Sequence, residues 1–265
     1  MRKKTITTVF IGLIISLTGL KILSKPSIIM IDGLSAVLCS QGKFSFPIEE
    51  KLIALTIDDI PDNNHVLPHT TLGILDVLAI YKAKATFFVI TNKAQEFPNL
   101  MRAIVEQKHE LGNHLTNDEP SIKLGNKFET EFVKADRFLS QFATISWFRP
   151  GHGWCNAKMT KVVEKYNYQI ALGSVWSYDT NSIVPPQFSS WYIKHNIRPG
   201  SIIILHDSNN QSDRRGQNTI AVLNEIIPQL QQQGYRFVTL SELERRANQH
   251  GDSTCGGNLR VARHQ

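Results

Sequence analysis

From Lys51 to Leu240 the chain alternates short runs of β-branched and aromatic residues with longer segments of helical period. The short runs predict seven strands: Leu52–Ile57, Ala85–Ile90, Glu110–Asn113, Thr144–Phe148, Gln169–Val175, Ser201–Leu205 and Arg236–Leu240. The intervening segments predict helices over Thr71–Tyr81, Asn99–Glu106, Lys127–Phe142, Ala157–Tyr166, Gln187–Lys194 and Thr219–Gln232. Ser241, with Glu244 three residues later, has the form of a capped start for a closing helix. Continuously apolar strands alternating with helices imply a parallel sheet covered on both faces, closed as a barrel or left open. Seven units suit a barrel slightly short of eight.

The flanks read differently. Arg2-Lys3-Lys4 precedes a polar-poor run from Thr5 to Leu20 that ends at Lys21, the form of an export signal or membrane anchor. With no small-x-small cleavage site after it, residues 1–25 are expected to be an uncleaved anchor, with everything after it exported. Residues 26–49 have mixed polarity and read as linker, residues 50–246 as the catalytic unit, and residues 247–265 as a disordered tail.

Composition changes the picture in two places. The net charge of +6 suggests an acidic partner, but five of the excess positive charges are Arg2, Lys3, Lys4, Lys21 and Lys25. The remaining basic pairs, Arg214-Arg215 and Arg245-Arg246, are too short and separate to track a phosphate backbone, so no nucleic-acid partner is expected. Three cysteines, Cys39, Cys155 and Cys255, match neither a disulfide framework nor a zinc knuckle. One pair could bridge in an exported domain; the spacing does not say which.

Candidate chemistry gathers at strand ends, where parallel α/β folds bind ligands. Asp58 and Asp59 follow the first strand, His114 the third, Arg149 the fourth, Asp179 the fifth, and His206 and Asp207 the sixth. Burying several such charges at one rim without a shared cation or substrate would cost too much. Asp59, His114 and Asp118 could ligate a divalent metal, the last two sharing a face if they lie on a helical turn. Three protein ligands leave a position for water, whose pKa the metal lowers toward ~7. Asp58 is then the natural base and His206 the natural acid.

Five motifs carry a further reading: Thr56-Ile57-Asp58-Asp59, His109-Glu110-Leu111-Gly112-Asn113-His114, Arg149-Pro150-Gly151-His152-Gly153, Trp176-Ser177-Tyr178-Asp179 and Ile202-Ile203-Ile204-Leu205-His206-Asp207. In this order, over roughly Glu50 to Leu243, they resemble the polysaccharide deacetylases of carbohydrate esterase family 4, the NodB-homology domain. The resemblance implies an α/β fold, a distorted seven-stranded (β/α) barrel, that removes acetyl groups from N-acetylated sugars of an envelope or extracellular glycan. The implied cofactor is one divalent metal, zinc first, with manganese or cobalt as alternatives. Asp58 matches the base, Asp59 and His114 two metal ligands, Arg149 the residue that orients the base, and His206 the acid. Trp154, Asp179 and Ile204 are expected to line or support the cleft.

The departures are specific. Asp118 stands where the family has a second metal-binding His, and Ser182-Ile183 replaces the Asp-Trp that ends the fourth motif, leaving Asp179 or Asp207 to support His206. Gly151-His152 replaces a Pro and a variable residue. These departures keep two other readings open: a metal-independent amidohydrolase acting on a small cyclic amide, and an inactive glycan-binding envelope protein.

Overall fold

The computed structural model describes residue 39 and residues 41–62, 67–180, 183–207 and 213–256, with side chains as far as residue 249. The expected leader, residues 1–25, lies outside them, as does Ser182. No helix among the described residues is long and apolar enough to cross a membrane.

Among the described residues, nine strands form one sheet in which every strand pairing is parallel. They are β1 (Gly42–Lys43), β2 (Leu52–Ile60), β3 (Thr86–Val89), β4 (Glu110–Asn113), β5 (Trp147–Phe148), β6 (Gln169–Ala171), β7 (Val175–Trp176), β8 (Ile202–His206) and β9 (Arg236–Val238). The order is β1-β6-β5-β4-β3-β2-β8-β7, with β9 pairing the start of β2. The helices are α1 (His69–Ile80), α2 (Thr91–Ala94), α3 (Pro98–Glu106), α4 (Phe128–Leu139), α5 (Ala157–Lys165), α6 (Pro186–Asn196), α7 (Arg214–Gln232) and α8 (Leu240–Gly256).

Strand β6, second from one end of this order, and β7, at the other end, belong to one stretch of chain. The single strand expected over Gln169–Val175 is broken at Leu172–Ser174, so that β6 pairs with β5 while β7 pairs with β8. Gly173 permits the break: a Cβ there would lie 2.4 Å from Ile204 Cγ1, closer than atoms can pack. The sheet thus curls into a distorted (β/α) barrel whose seam is the kink between β6 and β7.

Strand β2 explains how core becomes site. Side chains alternate along a strand. Leu52 and Ala54 point into the barrel with Phe88, Trp147, Ala171 and Ile202, above a plug of Leu240 and Leu243 from α8. Ile53, Leu55 and Ile57 pack outward with Ile74, Leu78, Val222 and Ile226 of the covering helices. Continuing the inward series past Leu52 and Ala54 gives Thr56 and Asp58, so one alternation runs from apolar plug to polar mouth.

The expectations for the flanks need correction. Residues 26–49 are not all linker: β1 pairs with β6, Phe44 and Phe46 are buried, and Cys39 is disulfide-bonded to Cys155 with Cα atoms 5.3 Å apart. Phe44 and Phe46 alternate with exposed Lys43 and Ser45, a period-two pattern too short to stand out from its polar neighbours. At the other end α8 continues to Gly256, beyond the expected start of the tail at residue 247. Its cap is Thr239 rather than Ser241. Thr239 Oγ1 accepts the Glu242 N–H at 3.2 Å, while the Ser241 hydroxyl is spent on Glu110.

Candidate active site

Asp58 and Asp59 are consecutive, so in a regular strand their side chains would face opposite ways. A register shift between Ile57 and Ile60 and a φ of 67° at Asp59 break the alternation. Asp tolerates this left-handed conformation better than most residues, and here it brings both carboxylates to one cavity. The cavity, of about 610 Å³, opens at the C-terminal ends of the strands and is also lined by His114, Asp118, Arg149, Trp154, Asp179, Ile204 and His206.

On one side stands a supported carboxylate. Arg149, at the end of β5, is 2% exposed and donates from Nη1 to Asp58 Oδ1 at 2.5 Å and to Thr56 Oγ1 at 2.7 Å. Its Nε and Nη2 reach the carbonyls of Ala171 and Leu172 at 3.0 and 3.3 Å, and its guanidinium lies 4.1 Å from the Phe88 ring centroid. A buried cation with this many partners is locked. It holds Asp58 by one oxygen and leaves the other free.

Facing that free oxygen is His206, whose Nε2 lies 4.0 Å from Asp58 Oδ2. Strands β2 and β8 pair Asp58 with His206 directly. Asp179 takes His206 Nδ1 at 2.9 Å and its backbone N–H at 2.7 Å, which aims Nε2 into the cavity. Burial alone would depress the imidazole pKa, but Asp179, with Asp58 and Asp59, overrides it and pushes the value up to about 9. The support left open between Asp179 and Asp207 therefore falls to Asp179. Asp207 instead binds the hydroxyls of Thr70 and Thr71.

The metal side is less complete. His114 Nδ1 donates to the Arg149 carbonyl at 2.7 Å, which presents Nε2 to Asp59 Oδ1 at 3.4 Å. Burial works against the imidazolium, but the Asp59 contact and the charges of Asp58 and Asp59 raise the His114 pKa, so this nitrogen and the carboxylate oxygen form a pair that a cation could bridge in place of the Nε2 proton. Burial works to raise the Asp59 pKa, but His114, His206 and Arg215 together hold it well below the usual carboxylate range. Asp118 lines the same cavity, yet it is exposed, on a bend instead of the helical turn expected from the spacing. Among the described residues, no group of three His, Cys, Asp or Glu side chains converges as a metal cluster. Asp59 and His114 fit a metal as a pair, with Asp118 at the rim.

Arg215 escaped the sequence reading. From the first turn of α7 its Nη2 reaches Asp59 Oδ2 at 2.7 Å, so a guanidinium already neutralises the expected ligand. Nothing local in the sequence marks it, because Arg215 lies 156 positions from Asp59. The third-motif departure has a steric account: a Cβ at Gly151 would sit 2.1 Å from the Glu119 carbonyl oxygen, and the Gly151 N–H donates to Ser121 Oγ at 2.7 Å. Trp154 is 52% exposed at the cavity wall, whereas Trp147 is core.

Comparison with known proteins identifies this arrangement. The family described as polysaccharide deacetylase matches residues 47–171. A peptidoglycan-N-acetylglucosamine deacetylase of Bacillus cereus is 36% identical over 203 residues, covering 75% of this chain and 91% of the relative. The chain belongs to the polysaccharide deacetylase family. A chitooligosaccharide deacetylase of Azorhizobium caulinodans is 32% identical, over 71% of this chain and 92% of its own. Among solved structures, the Bc1960 peptidoglycan N-acetylglucosamine deacetylase superposes with a TM-score of 0.68 at 30% identity, covering 76% of this chain and 91% of that one. A family 4 acetyl xylan esterase from Clostridium thermocellum, in complex with a cobalt ion, superposes with a TM-score of 0.62 at 28% identity, over 73% and 90%. As a polysaccharide deacetylase the chain is a hydrolase of non-peptide carbon–nitrogen bonds that deacetylates a glycan.

Proposed function

We propose that the substrate is an N-acetylglucosamine-type glycan of the cell envelope, peptidoglycan first and a chitin-like oligomer second, and that hydrolysis is metal-assisted. The observation that carries the acid–base chemistry is the pair of groups 4.0 Å apart, Asp58 and His206, each fixed by its own buried partner. At neutral pH His206 is an imidazolium beside the Asp58 carboxylate, the starting states that a base and an acid require. Asp58 Oδ2 takes a proton from water as the oxygen bonds to the acetyl carbon. The carbon–nitrogen bond then breaks, and the Nε2 proton of His206 passes to the leaving amine. Acetate and a free amino sugar result.

Asp59 and His114 would hold the divalent cation, with Asp118 as the third ligand, and zinc, manganese or cobalt each suit oxygen and imidazole donors. When bound, it would polarise the acetyl carbonyl and acidify water. The Cys39–Cys155 disulfide supports export, because such bonds persist in oxidising compartments, and the basic, apolar start of the chain supplies a membrane anchor. Acetate release from N-acetylated peptidoglycan and chitin oligomers, with chelated and metal-restored protein, tests the proposal. Release that needs added metal is expected. Equal release after chelation would overturn the metal, and none from any acetylated glycan would overturn the substrate.

A further inference from the structure

The mechanism leaves unused a row of aromatic side chains that runs out of the cavity. Trp176 and Tyr178 line the wall on the α6 side and are 52% and 40% exposed. The row continues on α6. Tyr178 lies 6.0 Å from Phe188 between ring centroids, Phe188 lies 5.6 Å from Trp191, and Trp191 lies 4.6 Å from His195. Phe188, Trp191 and His195 fall three or four residues apart, so they share one helix face. Phe188 and Trp191 are each 42% exposed although large apolar side chains usually pack inward.

This row is built. Buried Tyr192 stacks beneath Phe188 with ring planes 25° apart and also contacts Tyr178 edge-on at 4.9 Å. The Trp191 carbonyl is joined to His195 Nδ1 at 2.7 Å. Successive exposed rings at about the length of a sugar unit, ending in a polar imidazole, match the alternation of apolar C–H faces and hydroxyls along a polysaccharide. A membrane-facing helix would instead present free cations beside its aromatics. The one Lys on α6, Lys194, is held by Glu225 and Gln229.

We propose that Phe188 and Trp191 extend the binding site along α6 and take sugar units beyond the one being deacetylated, so that the enzyme selects long chains over short ones. This inference rests on the glycan reading above and deepens it. It is tested in the full chain by comparing kcat/KM on two-unit and six-unit N-acetylglucosamine oligomers. The six-unit preference should fall about tenfold in Trp191→Ala, the equivalent of about 1.4 kcal/mol, and Trp191→Phe should recover most of it. Affinity for the six-unit oligomer, measured by calorimetry in an Asp58→Asn background, should fall by a similar factor when Trp191→Ala is added. An unchanged length preference and unchanged affinity in both Trp191→Ala and Phe188→Ala would overturn the proposal. So would loss of binding to phosphatidylserine vesicles in Trp191→Ala with oligomer affinity intact, which would make the row a membrane contact. If no oligomer is turned over, the glycan-deacetylation reading fails and the calorimetry still decides the row.

Discussion

The two sides of the cavity are built to different degrees. Asp58 and His206 are each held by a buried partner of opposite charge, Arg149 and Asp179, and those partners are anchored in turn by backbone and hydroxyl groups. Asp59 and His114 share a gap, with the His114 ring oriented by the Arg149 carbonyl, but their third member, Asp118, is exposed, and Arg215 stands on Asp59. Proton transfer is therefore rigidly organised, while cation binding depends on a loose ligand and a competing guanidinium. The departure at Asp118 falls on the looser side, while the one at Ser182-Ile183 bears on His206, whose support Asp179 supplies.

Variants that break the rigid side should have the largest effects. Asp58→Asn removes the proton acceptor without touching Asp59 or His114, so turnover should fall by ~10²-fold or more with metal content unchanged. Assays of acetate release and metal stoichiometry check this; loss of metal would exchange the roles of the two aspartates. His206→Ala should also cost ~10²-fold on an N-acetyl sugar but much less on an aryl acetate, whose leaving group needs little protonation. Equal losses on both substrates would argue against the acid role.

On the looser side the changes should be gains. Asp118→His offers a neutral imidazole at the rim, and Arg215→Gln removes the charge that competes for Asp59; each should tighten zinc binding by about tenfold. Titration against a competing chelator reads this directly. Unchanged affinity in both variants would mean that neither residue touches the metal site. If Asp118→Ala left metal content unchanged, a two-ligand site would be indicated.

A further effect is expected on stability. The folded pKa of His206, about 9, lies above the ordinary imidazole value of ~6.5, so its contribution is fully present below pH ~6.5 and is lost as pH rises through about 9. The loss should be on the order of 3 kcal/mol and should flatten in Asp179→Asn. Urea unfolding at a series of pH values checks it. A wild-type slope that persists in Asp179→Asn would place the titration elsewhere.

Much of this was legible in the sequence, and the misses share a cause. Strands whose apolar runs cross the whole barrel, such as β2 and β8, announced themselves, and so did the polar residues at their ends. Strand β1 is two residues long, and β6 and β7 are parts of one predicted apolar run cut at Gly173, so no periodicity reports the first or the break between the other two. The apolar run of the first strand ends at Ile57, and nothing in the sequence reports the positive φ at Asp59 that lets two adjacent aspartates serve one cavity. Contacts between distant segments, Arg215 with Asp59 or Thr56 with Arg149, have no local signature. The His114–Asp118 spacing misled because the backbone there bends instead of coiling.

The pH dependence of kcat/KM for acetate release, measured on wild type and Asp179→Asn with an N-acetylglucosamine oligomer, tests the acid–base side most directly. Wild type should lose activity as pH rises through about 9, where His206 gives up its proton, and Asp179→Asn should move that limb to lower pH. An alkaline limb in the same place in both proteins would contradict the assignment of His206, held by Asp179, as the acid.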